Sequence, residues 1–81
     1  KVFPQALINI TVKSRPEIET VPAITSVIHD VESKLGNRGR VLVRYSGTQN
    51  MCRVMVEGPS QEETGSYCRK IADVVERQLN A

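Results

Sequence analysis

Apolar and polar residues alternate from Ala6 to Lys13. Ala6, Ile8, Ile10 and Val12 fall on one face, and Leu7, Asn9, Thr11 and Lys13 on the other. A period of two rich in Ile, Val and Thr predicts a strand with one buried face. Ser14 to Glu19, which contains Pro16, reads as a connection. The period then changes: Val21, Ile24, Ile28, Val31 and Leu35 recur at steps of three and four, the narrow stripe of an amphipathic helix. Thr20 is its predicted N-cap, Pro22 suits its first turn, and Gly36-Asn37 stops it. Period two returns in Arg40–Tyr45 and Met51–Glu57, joined by the loop Ser46-Gly47-Thr48-Gln49-Asn50. Parity turns Val41, Val43, Cys52, Val54 and Val56 toward the core. It puts Arg44 and Arg53 together on the opposite face, with Leu42 and Met55. Gly58-Pro59-Ser60 closes this hairpin and opens a last helix. There Ser60 and Glu63 form a capping box, and Tyr67, Ile71, Val74, Val75 and Leu79 make the buried stripe, bordered by Cys68. Gly65 is a mild local cost inside that helix.

The order strand, helix, strand, strand, helix predicts an α+β domain with both helices on one face of an antiparallel sheet. At 81 residues the chain is one domain. Such a domain buries only roughly 60–65% of its unfolded surface. An apolar fraction of 40% suffices for one core but leaves little room for a deep pocket, which counts against a self-contained enzyme. The strand pattern starts almost at once, after Phe3-Pro4-Gln5-Ala6, as in a domain cut from the C-terminal part of a longer chain. No apolar run is long enough to cross a membrane and no signal peptide is visible, so the expected location is cytoplasmic. Cys52 and Cys68 lie in apolar contexts without metal-ligand spacing and read as reduced core thiols. The single histidine, His29, falls off its helix stripe and reads as a solvated flank residue.

The charge total of +2 names no partner, but its distribution is uneven. Arg38, Arg40, Arg44 and Arg53 lie in a stretch with no acid, leaving seven basic against nine acidic residues elsewhere. A local positive field on a slightly acidic body suits a small anion better than a long polyanion. The segment Arg44-Tyr45-Ser46-Gly47-Thr48, with Arg53 on the next strand, has the parts of a phosphate cradle. Arginine offers a planar fork matching two oxygens, and Ser46 and Thr48 add hydroxyl donors. Gly47 lets backbone N–H groups approach the anion. Each well-made charge-assisted bond is worth roughly 1.5–3 kcal/mol. The plainer reading of the same residues is a polar hairpin turn with strand arginines in solvent.

The run Gly39-Arg40-Val41-Leu42-Val43-Arg44-Tyr45-Ser46-Gly47-Thr48, continued by Arg53-Val54-Met55-Val56-Glu57-Gly58, resembles the C-terminal domain of the alpha-D-phosphohexomutase family. It is most similar to the bacterial phosphoglucosamine mutase branch, whose pattern is Arg-x-Ser-Gly-Thr-Glu-Pro followed by Arg-Val-Met-Val-Glu-Gly. The resemblance extends over nearly the whole chain and implies a TATA-box-binding-protein-like fold. It implies that the loop holds the substrate phosphate not being transferred, through Arg44, Ser46, the Gly47 backbone and Thr48, with Arg53 as a supporting contact. Gln49 and Asn50 depart from the family's Glu-Pro; the lost carboxylate should not weaken an anion site, whereas the lost proline loosens the loop.

For a full-length enzyme the resemblance implies interconversion of glucosamine 6-phosphate and glucosamine 1-phosphate through a phosphoserine. It also implies Mg²⁺, a sugar bisphosphate activator, and as partners a phosphosugar and the other domains of the parent chain. Neither nucleic acid nor membrane is an expected partner. Nothing in this chain resembles the phosphoserine or the Asp-rich metal loop, and Asp30 and Asp73 stand alone in separate predicted helices. No catalytic residue, metal ligand or cofactor is therefore expected within it, and the chain by itself should be inactive. Leu42 and Met55 are expected against a neighbouring domain. The same domain from a phosphomannomutase or phosphoglucomutase is the nearest alternative. A KH-like RNA-binding module, suggested by Gly36-Asn37-Arg38-Gly39, would need that loop between two helices, and one Phe and two Tyr leave few stacking platforms. A domain that keeps the fold but has lost phosphate binding is the third alternative.

Overall fold

A computed structural model describes residues 3–80. Its elements are β1 (Gln5–Thr11), α1 (Pro22–Leu35), β2 (Arg40–Tyr45), β3 (Met51–Glu57) and α2 (Gln61–Leu79), with 3₁₀ turns at Ile18–Thr20 and Gly36–Arg38. The sheet order is β1-β3-β2, antiparallel throughout, so the strand adjoining the loop on its C-terminal side is the central one. Both hairpin strands have the bounds expected from their alternation. β1 ends at Thr11, two residues short of the expected Lys13, because β3 begins at Met51 and offers Thr11 its last register partner. Beyond it, Val12 N–H donates to Asn50 O at 2.9 Å, and Lys13 N–H is taken by Asn80 Oδ1 at 2.8 Å.

The inner sheet face carries Ile10, Cys52, Val54 and Val56, all buried, and both helices cover it. α2 lies over β1 and β3, while α1 packs beside it over β2. α1 buries Ile24, Val27, Val31 and Leu35; Val27 joins the expected stripe, and Ile28 is only partly covered at its edge. The N-cap expectation fails at Thr20. Its hydroxyl donates to Glu17 O at 2.6 Å inside the preceding 3₁₀ turn, so Val21 caps the helix without a side-chain bond. Gly36 ends α1 with φ 59°, the left-handed geometry that favours glycine there.

Ser60 caps α2 as expected, its Oγ accepting from Glu63 N at 3.2 Å. The buried stripe of that helix is rotated from the expected one: Thr64, Cys68, Ile71, Ala72, Val75 and Leu79 are buried, and Tyr67 and Val74 lie at its rim. Small residues at 64, 68 and 72 let α2 sit close on the sheet, and a period-based reading weighted to large side chains misses that. Gly58 is fixed by the same closeness, since a Cβ there would stand 2.6 Å from Thr64 Oγ1. Cys52 and Cys68 are free and buried, and burial pushes both thiols above their ordinary range. His29 is exposed. Among the described residues no helix is long and apolar enough to cross a membrane. Every element packs on another, so the described residues close a core of their own.

Candidate functional site

The outer sheet face, away from the helices, ends at the β2–β3 loop. Strand pairing sets Arg44 directly opposite Arg53 on that face, confirming the parity argument residue for residue. Like charges directly opposite in an antiparallel pair repel. Four other cations meet a carboxylate: Arg40 meets Glu57 at 3.2 Å, Lys34 and Lys70 meet Asp30 at 3.3 and 3.0 Å, and Arg69 meets Asp73 at 3.9 Å. Among the described residues neither Arg44 nor Arg53 has a carboxylate partner. Arg53 is instead steadied by Asn9, whose Oδ1 accepts from its Nε at 3.4 Å.

The loop is held by its own backbone. Ser46 N–H donates to Met51 O and Met51 N–H to Gln49 O, both at 2.8 Å. Thr48 N–H reaches Ser46 Oγ at 3.4 Å. Asn50 O accepts from Val12, which ties the loop to the end of β1 through a backbone carbonyl that any residue at this position would offer. Gly47 has ordinary backbone geometry, and a Cβ built on it would meet no protein atom within 4 Å. Arg44, Tyr45, Ser46, Gly47 and Arg53 line an open hollow of about 210 Å³. Thr48 is exposed beside it and does not line it, so four of the five expected ligands converge and the fifth stands at the rim. A second hollow of about 130 Å³ adjoins the first, floored by Leu7, Leu42 and Met55 and sharing both arginines.

Two participants escape the sequence. Arg15, in the β1–α1 connection, donates through Nη2 to Ser46 O at 2.6 Å and lies over the Tyr45 ring, 5.4 Å from its centroid. The Tyr45 hydroxyl in turn donates to Pro16 O. Burial raises the Tyr45 phenol above its ordinary value, partly opposed by the Arg15 charge. No local pattern marks Arg15, because its contact spans 31 residues. Asn9 was legible in principle, since parity puts it on the arginine face, but its contact needs β1 to lie beside β3. The Gly36-Asn37-Arg38-Gly39 segment joins α1 to β2, and Arg38 spends its guanidinium on the Lys34 and Leu35 carbonyls that end the helix.

Comparison with known proteins gives this geometry a family. The phosphoglucomutase/phosphomannomutase C-terminal domain matches residues 7–74. The chain belongs to that family. Similar curated proteins include the phosphoglucosamine mutases of Syntrophus aciditrophicus, 72% identical over 78 residues, and of Chlamydia caviae, 50% identical over 78 residues. Each of these matches covers 96% of this chain and 17% of the relative, so the chain spans about a sixth of their length. Among solved structures, an Aspergillus fumigatus N-acetylphosphoglucosamine mutase in complex with glucose 1,6-bisphosphate superposes with a TM-score of 0.84 at 25% identity, covering 98% of this chain and 16% of that one. The same fungal enzyme with GlcNAc-6P and magnesium gives 0.78 at 26% identity, over 93% of this chain and 16% of that one. The α+β architecture of this phosphohexomutase C-terminal domain is thus shared with enzymes solved around phosphosugars.

Mg²⁺ does not fit the described residues of the domain. No three of their His, Cys, Asp or Glu side chains cluster, and Asp30 and Asp73 are each engaged by a cation. The Asp30 carboxyl is held below its ordinary range by Lys70 and Lys34.

Proposed function

We propose that the chain is the phosphate-gripping domain of a phosphoglucosamine mutase and that its outer-face loop holds the substrate phosphate that is not being transferred. The observation carrying this reading is the Arg44–Arg53 pair, opposed across two strands without a carboxylate and opening beside Ser46 and Gly47. A phosphomonoester dianion placed there would neutralise both guanidiniums, accept the Ser46 hydroxyl and meet the Gly47 backbone. Thr48, at the rim, would close on the ligand from the side. Family membership and the identity to bacterial phosphoglucosamine mutases support glucosamine 6-phosphate and glucosamine 1-phosphate as the pair interconverted by the whole enzyme. The reacting serine and the Mg²⁺ ion would then belong to other parts of that enzyme, and this chain alone would be inactive.

Gripping the remote phosphate lets its binding energy orient the reacting end of the sugar. A grip built from arginine forks and a backbone N–H reads charge and oxygen geometry but not the sugar. It therefore serves the 1- and the 6-phosphate alike, as an interconversion requires.

The test is a titration of the ¹⁵N-labelled chain with glucosamine 6-phosphate, inorganic phosphate and neutral glucosamine. Shifts confined to Arg44–Thr48 and Arg53 are expected with both phosphates and not with glucosamine, at an affinity near millimolar, or about 4 kcal/mol. Equal shifts with neutral glucosamine, or shifts elsewhere on the chain, would refute the assignment.

A further inference from the structure

Arg15 is exposed, lies in a connection, and nevertheless makes a short bond to the loop. Its partner is the carbonyl of Ser46, in the peptide unit that also carries the Gly47 N–H. A trans peptide is planar, and its C=O and N–H point in opposite directions. Fixing one therefore aims the other. Ser46 N–H is already tied to Met51 O, and Ser46 Oγ to Thr48 N–H. With Arg15 on its carbonyl, Ser46 is held at three points and the 46–47 peptide cannot rotate freely. Gly47 N–H, like those of Gln49 and Asn50, donates to no described residue, and of the three it alone belongs to a residue lining the hollow beside both arginines.

The carbonyl matters as much as the amide. A peptide oxygen turned into an anion site would repel the anion, and a hydrogen-bonded one turned away does not. Arg15 is itself oriented: its guanidinium rests on the Tyr45 ring, and the Tyr45 hydroxyl is anchored to Pro16, the residue after Arg15. Ring, arginine and carbonyl form a closed brace between the β1–α1 connection and the loop.

We propose that Arg15 is a positioning residue of the phosphate loop, which holds the Ser46 carbonyl outward and so aims the Gly47 N–H at the anion. The inference rests on the phosphate-binding reading above. Arg15 also adds positive charge near the loop, so its test must separate aim from charge.

The experiment compares the wild-type chain with Arg15→Met and Arg15→Lys by ¹⁵N titration with inorganic phosphate, at low ionic strength and again in about 0.5 M NaCl, where charges beyond a few ångströms are screened. Losing a well-aimed donor to a charged ligand should weaken binding by about tenfold in Arg15→Met. That ratio should persist in high salt, with the Gly47 amide resonance displaced before phosphate is added. Arg15→Lys, still able to donate to the carbonyl, should recover most of the affinity in high salt. Equal affinity of Arg15→Met and wild type would overturn the proposal, as would a difference that vanishes in salt, since it would then be charge alone. If the wild-type chain itself shows no localised phosphate shift, the binding reading fails first, and the outcomes are distinguishable.

Discussion

The opposed arginines make a thermodynamic prediction whose sign depends on the solution. Without an anion, Arg44 and Arg53 repel across the β2–β3 pair, so Arg44→Met should cost nothing and stabilise the chain by about 0.2–1 kcal/mol. Methionine suits the position, because Leu42 and Met55 already floor the adjoining hollow. For a domain of this size that corresponds to a melting temperature higher by roughly 1–8 °C, with the lower end favoured because exposed charges are screened. With phosphate the order should reverse. A ligand that binds only the folded state stabilises by RT ln(1 + [L]/Kd), which for a millimolar site at about 20 mM phosphate is about 1.8 kcal/mol, or roughly 7–14 °C. Arg44→Met should lose most of this gain.

The assay is thermal unfolding followed by circular dichroism at pH 7, with phosphate exchanged for chloride at constant ionic strength. The signature is a crossing: the variant melts above the wild type in chloride and below it in phosphate. A general effect of salt on stability moves both proteins in parallel and cannot produce a crossing. An equal phosphate gain in both proteins, or a gain in chloride matching that in phosphate, would refute the claim that the arginine pair is an anion site.

Gly47→Ala should keep its melting temperature in chloride within about 1 °C, since the added Cβ meets no protein atom and no left-handed backbone is required, yet show weakened phosphate shifts in the ¹⁵N titration. Gly65→Ala, inside α2 with open space around the new Cβ, should stabilise by about 0.8–1 kcal/mol, read as a higher urea midpoint with an unchanged slope. Asp30 contributes through a carboxylate whose folded pKa lies below its ordinary 3.8. That contribution is present above 3.8 and is lost as pH falls through the lower folded value. Urea melts at pH 7 and near pH 3 should therefore show Asp30→Asn less stable than wild type at the first pH and the gap narrowing at the second.

The elements were legible because each has a clean period and punctuation that agrees with it. Arg40–Tyr45 and Met51–Glu57 alternate without a break, and the five polar or small residues between them leave one way to close the hairpin. Parity alone then put two arginines on one face, and strand pairing made them direct neighbours. What the sequence hid depends on packing distance and on contacts between remote segments. The stripe of α2 turned because Thr64, Cys68 and Ala72 allow close approach to the sheet, a property of small side chains that hydrophobic periodicity undervalues. Thr20 looked like a cap, but its hydroxyl found the nearer Glu17 carbonyl. Arg15 carries no local signal, because what fixes its role is the fold bringing residue 15 to residue 46.

The core and the proposed grip are built on opposite faces of the same three strands, and that separation has a consequence for how the loop can vary. Every residue proposed to touch phosphate lies outside the buried core. The ties that shape the loop are mostly backbone bonds: Ser46 to Met51, Met51 to Gln49, and Asn50 to Val12. Side chains at Gln49 and Asn50 are exposed and can differ from Glu-Pro without altering those bonds. Gly39 shows the contrast, for a Cβ there would stand 1.9 Å from Glu57 O and force β2 away from β3. Glycine is thus required at 39 by the sheet, whereas at 47 the fold leaves open space and only the proposed phosphate contact would call for it. Substitution at 39 should damage folding and binding together, and substitution at 47 should damage binding alone.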